Sequence, residues 1–480
     1  MPNANEDTPP SLTQAQQRAV SELLRVAPVA DDLARRFQQA GFSLALVGGS
    51  VRDVLLGRLG NDLDFTTDAR PEDILKIMRP WADALWEVGI AFGTVGAQKA
   101  GYQIEVTTYR SEAYDRTSRK PEVSYGDSIE EDLVRRDFTV NAMAVALPEK
   151  RFIDPHGGLD DLETRVLRTP GTPEDSFSDD PLRMMRAARF AAQLDFDVAP
   201  EVVTAMREMA DRIGIVSAER VRDELNKLVL SSHPRKGLTL LVDSGLAQRV
   251  LPELPALRLE SDEHHRHKDV YEHTLIVLEQ AMALESGGPD LTLRLSALLH
   301  DIGKPRTRRF EKDGRVSFHH HEVVGAKMTK KRMTALKYSN ELVKDVSRLV
   351  ELHLRFHGYG TGEWTDSAVR RYVRDAGPLL ERLHKLTRSD CTTRNKRKAA
   401  ALSRAYDGLE ERIAQLKEQE ELDAIRPDLD GNQIMEVLGV RPGPMVGKAY
   451  KYLLELRLEN GPMEYDQAVS ALKEWWTEQA

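Results

Sequence analysis

Two aspartates one residue apart, Asp62 and Asp64 in the run NDLDF, are the residues of this 480-residue chain best placed to do chemistry. On a strand, positions i and i+2 point the same way, so both carboxylates share a face while Leu63 and Phe65 turn to the core. Adjacent carboxylates repel unless a cation sits between them. Hard oxygen ligands of this kind suit Mg²⁺, which also takes oxygens from a bound triphosphate. Just upstream, LVGGSVRD supplies an anion cradle. Gly48 and Gly49 leave backbone N–H groups open to phosphate, and Arg52, with Asp53 beside it, adds charge-assisted bonds. In YQIEVTTYR, Glu105 faces away from the inward Ile104 and Val106 and offers a third carboxylate. Two ions roughly 3.5–4 Å apart would activate a hydroxyl and steady a leaving oxygen. The expected chemistry is nucleotidyl transfer: a 3′-hydroxyl attacks an α-phosphate and pyrophosphate leaves.

Those side chains need a scaffold. From Phe42 to Ala146 short apolar runs alternate with turn signals. LALV, DLDF, FGTVGA, YQIEVTTY and FTVNAMAVAL are expected strands, and DVLL and PEDILKIM helical pieces. RFIDPHGGLDDL closes this mixed domain with a short strand and a turn. From Asp180 onward the spacing of apolar residues becomes helical and stays so, as in PLRMMRAARFAAQL and SAERVRDELNKLVL. Arg258 to Lys268, charged and His-rich, reads as a linker. The expected class is α+β, a mixed-sheet head followed by all-α domains. The expected divisions are a polar extension (1–28), a head (29–160), a neck (161–257), a third domain (258–395) and a tail (396–480).

At 480 residues several domains are expected. Neither a signal peptide nor an apolar run of membrane-spanning length is present. Cys391 is the only cysteine, which excludes an intrachain disulfide and a Cys-based zinc site and makes the cytoplasm the default location. A net charge of −9 argues against a general nucleic-acid coat protein. Local basic surface remains, at Arg116 to Lys120 and in TTRNKRKAAALSR from Thr392 to Arg404.

GGSVRDVLLG…DLDF, RRDFTVNAMA, DPHGGLDDL, SDDPLRMMRAARF and ERVRDEL together resemble the successive motifs of class II tRNA nucleotidyltransferases, the CCA-adding enzymes, whose superfamily includes bacterial poly(A) polymerases. The resemblance runs in unbroken order from about Leu44 to Leu254. It implies Asp62 and Asp64 as metal ligands, Gly49 and Arg52 as triphosphate contacts, and Arg136, Asp137 and Asn141 around sugar and phosphates. It also implies tRNA, CTP and ATP as substrates. In the neck motif, Asp180 and Arg183 stand at i and i+3, neighbours on a helix surface. Asp only accepts and Arg only donates, so the pair complements the pairing edge of cytosine or adenine and mismatches uracil and guanine. Arg186 continues the series within reach of substrate. Arg189 lies nearly opposite Asp180 on the wheel, although the family pattern includes it as a nucleotide contact. The motif usually begins Glu-Asp; here it is Asp179-Asp180. Ser111 to Gly126 resembles the flexible loop of CCA- and A-adding enzymes, which leaves CCA, A-only and poly(A) products open.

A second constellation lies downstream in VYEHTL, LLHDIGK, FHHHEVVGA, LVELHLRFH and RSDCTTRN. His273, the adjacent His300-Asp301 pair and Asp390 resemble the HD-domain metal site, in which ligands from separate helices converge on an ion. His321 and His353 fall where an extended, two-metal site would draw further ligands, with His319 and His320 as competitors for the former. The resemblance implies a divalent metal of unspecified identity and a phosphohydrolase acting on a phosphoester, either beside nucleotidyl transfer or, as the alternative, in a protein whose transferase head is inactive. Basic residues after Cys391 and glycines 431, 443 and 447, at expected helix starts, mark a candidate tRNA-backbone surface. Oligomeric state is not legible.

Overall fold

LALV is buried at all four positions, as a strand covered on both faces must be, and it is an interior strand of the sheet, beside the one that carries the aspartates. The computed structural model of the chain describes residues 28–480 except 59, 88, 91–92, 111–124, 127, 260–268, 313–315, 357–363, 393–394, 421–424 and 480, together with positions 13, 14, 17, 18 and 21. The flexible-loop reading and the Arg116–Lys120 cluster fall almost entirely outside the described residues. Two compact units result, Met1–Val250 and Leu251–Ala480.

In the first unit, helix α1 (Pro28–Gln39) precedes β1 (Leu44–Val47), α2 (Gly49–Leu55), β2 (Asp62–Thr67), α3 (Pro71–Met78), β3 (Ala84–Trp86), β4 (Thr94–Lys99), β5 (Tyr102–Thr108), α4 (Ile129–Val134), β6 (Ala144–Leu147) and β7 (Arg151–Ile153). The seven strands form one sheet in the order β3-β4-β5-β2-β1-β6-β7. Only β2 and β5 pair parallel; every other neighbour is antiparallel. Leu63, Phe65, Ile104 and Val106 are buried in register, which turns Asp62, Asp64 and Glu105 to the other face.

Three local expectations change. Helix α2 begins at Gly49 rather than Asp53, directly after the cradle. FTVNAMAVAL is a strand only in its second half, and Thr139–Asn141 is a 3₁₀ turn. The Asp137 carboxylate holds that turn, accepting from Phe138 N at 2.9 Å and from Asn141 Nδ2 at 2.9 Å. The short strand β3 was not anticipated.

Helices α5 (Pro173–Asp179), α6 (Leu182–Leu194), α7 (Pro200–Met209), α8 (Ala218–Val229) and α9 (Pro234–Asp243) are the main elements of the rest of the unit, with α6 packed on α8 and α9. Asp180 is not part of α6: it caps α5 in an extended conformation, φ −141°, ψ 101°. Pro181 follows it, and a residue before proline is driven out of the helical region.

The second unit is helical: α10 (Val270–Ala283), α11 (Leu291–Leu299), α12 (His321–Ala335), α13 (Asn340–Leu352), α14 (Asp366–Ala376), α15 (Leu380–Ser389), α16 (Lys396–Glu420), α17 (Gly431–Leu438), α18 (Pro444–Asn460) and α19 (Tyr465–Gln479). Helices α17 to α19 bury Leu429, Ile434, Ala449, Leu453 and Leu472 together. Gly431 opens α17 and Gly443 caps α18, whereas Gly447 lies inside α18 because the helix starts at Pro444. Among the described residues no helix is long and apolar enough to cross a membrane.

Candidate active site and candidate metal centre

The β1–α2 turn and strand β2 form one wall of a cavity of about 560 Å³ that gathers Gly48, Gly49, Arg52, Asp53, Asp62, Asp64, Glu105, Arg136, Asp137, Asn141, Arg186 and Arg189. Asp64 pairs with Glu105 across the parallel β2–β5 ladder, so their side chains stand side by side. Burial raises the Asp64 carboxyl above its ordinary pKa; Glu105 and Asp62 push the same way, while Arg136 and Arg52 oppose them. A partly buried carboxylate crowded by two others is a site short of positive charge. The donors present therefore fit divalent cations bound through oxygen.

Ser50 fixes the first aspartates. Its hydroxyl accepts from Asp64 N at 2.9 Å and donates to the Asp62 carbonyl at 3.2 Å, tying α2 to β2. Gly48 has φ 71°, and a Cβ there would lie 2.8 Å from Arg136 Nη1. Only glycine suits both the conformation and the close guanidinium. Arg52 donates to Asn141 Oδ1 at 2.6 Å and holds Asp53 through Nε and Nη2, both at 2.9 Å.

Helix α6 presents Arg186, Arg189 and Phe190 to the same space. Arg186 lies 2.6 Å from buried Asp137. Burial alone would raise the Asp137 carboxyl, but Arg186 and Asn141 outweigh it and hold the group well below the usual carboxylate range. Arg189 is paired at 2.7 Å with Glu224 of ERVRDEL. Burial, and then the adjacent Arg186, pull Arg189 down to about 10. Phe190 is the hub of this wall: Arg189 stacks on its ring at 4.0 Å, Arg52 at 5.1 Å and Arg186 at 5.3 Å. Ser50, Phe190 and Glu224 carry the positioning but escaped the sequence reading. RF at the end of the neck motif and the acid in ERVRDEL were the available signals.

Asp180 and Arg183 do not line this cavity. Asp180 pairs with Arg220 at 2.7 Å and accepts from Leu182 N at 3.1 Å. Arg183 donates to Ser176 Oγ at 3.0 Å and to the Arg135 carbonyl at 2.5 Å. The wheel argument that set Arg189 aside thus fails, because its reference residue, Asp180, is outside the helix.

In the second unit the six expected ligands converge. His273 is on α10, His300 caps α11 with Asp301 next to it, His321 opens α12, His353 caps α13 and Asp390 caps α15. His273 Nε2 lies 2.9 Å from Asp390 and 3.5 Å from Asp301; His300 Nε2 is 3.1 Å, and His321 Nε2 3.2 Å, from Asp301. The Nδ1 atoms of His300, His321 and His353 are each engaged by a carbonyl three residues back, at 2.8, 2.8 and 2.6 Å. Every Nε2 is thereby aimed inward. Those of His300, His321 and His353 are buried without a hydrogen-bond partner. Burial, reinforced by His300, pushes His353 down to about 3, keeping it neutral as a ligand must be. His319 and His320 are exposed, so His321 is the one turned inward. His273, His300 and Asp390 form one candidate metal group, and Asp301, His321 and His353 another.

Residues 44–168 match the Poly A polymerase head domain, residues 195–257 the "probable RNA and SrmB- binding site of polymerase A", and residues 270–395 the HD domain. An A-adding tRNA nucleotidyltransferase of Deinococcus radiodurans is 36% identical over 445 residues, covering 91% of this chain and 96% of that protein. A CCA-adding enzyme of Streptococcus thermophilus is 32% identical over 93% of this chain and 95% of its own. Others align over a shorter stretch: the Streptococcus gordonii CCA-adding enzyme is 41% identical over 51% of this chain and 59% of its length. Among solved structures, the Bacillus stearothermophilus CCA-adding enzyme in complex with CTP superposes with a TM-score of 0.68 at 24% identity, covering 98% of this chain and 99% of that one, a likeness of fold. With relatives at least 32% identical over more than nine-tenths of its length, the chain belongs to the superfamily of class II tRNA nucleotidyltransferases and bacterial poly(A) polymerases, in a form that carries an HD domain.

Proposed function

We propose that the protein is a CCA tRNA nucleotidyltransferase, adding C, C and A to tRNA 3′ ends from CTP and ATP without a nucleic-acid template. The observation that carries this reading is the in-register Asp64–Glu105 pair facing a guanidinium wall in one cavity. Asp62 and Asp64 would hold Mg²⁺, which supplies charge neutralisation at the α-phosphate and the attacking hydroxyl. Arg52, Arg136 and Arg189 bind the triphosphate, and Asp137 and Asn141 orient these groups and the sugar. The acceptor 3′-oxygen forms a bond to the α-phosphorus, the α–β phosphoanhydride bond breaks, and pyrophosphate leaves towards the guanidinium groups. The hydroxyl proton is taken by the neighbouring Glu105 carboxylate.

Base selection by Asp180 and Arg183 requires them to exchange Arg220, Ser176 and the Arg135 carbonyl for the pairing edge of CTP or ATP. Segment 161–257 then serves as the selecting neck, and 396–480 as a tRNA-binding tail. A setting in the cytoplasm suits a chain with one cysteine. The convergent histidine cluster supports a second activity, phosphoester hydrolysis at the HD site on 2′,3′-cyclic or 2′-phosphate ends.

The 36% identity to an A-adding relative favours a second reading, addition of the terminal A alone. One assay separates the products. With tRNA ending at the discriminator base, CTP alone should yield CC, and later ATP a single A. A failure to use CTP, with one A added to tRNA already ending in CC, would establish the A-adding reading. A long A tail would establish a poly(A) polymerase.

A further inference from the structure

Trp86, Gly96, Glu105 and Asp64 form one continuous cross-strand row: Trp86 pairs with Gly96, Gly96 with Glu105, and Glu105 with Asp64. Directly opposed residues on neighbouring strands present their side chains to the same face. The row therefore lays an indole, a gap and two carboxylates side by side. The indole occupies the gap, since a Cβ on Gly96 would meet Trp86 Nε1 at 1.9 Å and Cε2 at 2.4 Å. With strands about 4.8 Å apart, a ring lying over β4 is about one strand spacing from Glu105 and about two, near 10 Å, from Asp64. Trp86 is only half-buried and lines the cavity together with Gln103. Trp81 makes the contrast: it is 4% exposed and its indole N–H donates to Asp32 at 2.6 Å, as expected of a structural tryptophan.

The direction of the reaction assigns this end of the cleft. Arg52 follows β1 and bonds Asn141 just before β6, and Arg186 of α6 pairs with Asp137 of the same segment. The guanidinium groups thus gather on the β1–β6 side of Asp64, where the leaving pyrophosphate must be stabilised. Attacking and leaving oxygens stand roughly in line across the phosphorus. The attacking nucleotide must then enter from the β5–β4–β3 side, over which the Trp86 ring lies.

We propose that Trp86 is the stacking platform for the terminal base of the acceptor RNA, an assignment that rests on the nucleotidyl-transfer reading of the Asp62–Asp64 site. Every base has a π-face, so stacking grips an end without reading its sequence. An enzyme that lengthens its own acceptor needs such a grip, because the terminal base changes after each addition.

The test measures KM for acceptor tRNA and, separately, binding of CTP to the free protein. Stacking on one aromatic ring is worth about 10-fold or more in affinity. Trp86→Ala should raise acceptor KM by about that factor and leave CTP binding unchanged, and Trp86→Phe should restore most of the loss. An acceptor hairpin whose last nucleotide lacks its base should raise the wild-type KM to a similar degree and add little to the Trp86→Ala defect. An unchanged wild-type KM for the abasic acceptor overturns the assignment even if Trp86→Ala does not fold. A Trp86→Ala loss of CTP binding as large as the acceptor loss also overturns it. Wild-type protein that transfers no nucleotide at all would instead strike the transfer reading.

Discussion

Arg186 of helix α6 lies 2.6 Å from the buried carboxylate of Asp137, and this pair joins the helical segment to the sheet that carries Asp62 and Asp64. Arg186 is 32% exposed, so breaking the pair leaves a partly solvated cation. Asp137→Ala should cost about 3 kcal/mol in denaturant unfolding, the low end for removing one partner of a buried pair. The pH dependence follows from the depressed Asp137 pKa. Its stabilisation is fully present above the unfolded value of about 3.9 and disappears as pH falls through the lower folded value. Wild-type protein should lose stability below about pH 4 more steeply than Asp137→Asn.

Three guanidinium groups share the Phe190 ring, at 4.0, 5.1 and 5.3 Å. Each cation–π contact is worth about 0.5–2 kcal/mol. Phe190→Leu, which keeps most of the apolar volume, should weaken CTP and ATP binding about tenfold in calorimetry. Unaltered affinity would show that the guanidinium groups hold their places without the ring.

At Gly48 φ is positive and Arg136 Nη1 stands only 2.8 Å from where a Cβ would go. Gly48→Ala should therefore both destabilise the fold by about 1–2 kcal/mol and raise KM for the nucleotide by displacing Arg136. Gly57→Ala, also at positive φ but with open space around it, is the control: it should lose stability without the KM effect.

The HD cluster predicts metal binding independent of transfer. Metal analysis of purified protein should find a divalent transition ion or Zn²⁺, lost in His300→Ala and in Asp301→Ala. Chelation should lower the thermal midpoint of the wild type, since a ligand bound only by the folded state stabilises it. CTP incorporation by His300→Ala should stay near the wild-type rate.

How far the sequence could be read followed from the range of the forces involved. YQIEVTT shows its alternation openly, and β5 lies there with Glu105 turned from the core. The Asp62–Asp64 pair and the glycine cradle were legible because each depends on local spacing, whereas the candidate ligands of the second unit, spread from His273 to Asp390, were legible only through their resemblance to the HD-domain motif. Asp180 was misplaced on a helix because the following proline decides its conformation. The turn at Thr139–Asn141 was read as strand because the Asp137 side chain, rather than residue propensity, organises it. ALW gave no periodic signal: β3 exists because it pairs with β4, where Gly96 leaves room for the Trp86 ring. Phe190 and Glu224 escaped the reading because their roles are set by packing between elements: Arg52 of α2 reaches the Phe190 ring, and Glu224 of α8 meets Arg189 of α6.

The carboxylate pair on β2 is tested most directly by comparing wild-type and Asp62→Ala protein on one tRNA lacking its 3′ end. CTP and ATP incorporation and tRNA binding are followed in parallel. Incorporation should fall by at least about 10³-fold while the tRNA dissociation constant changes less than about twofold. Incorporation at the wild-type rate by Asp62→Ala would contradict the account.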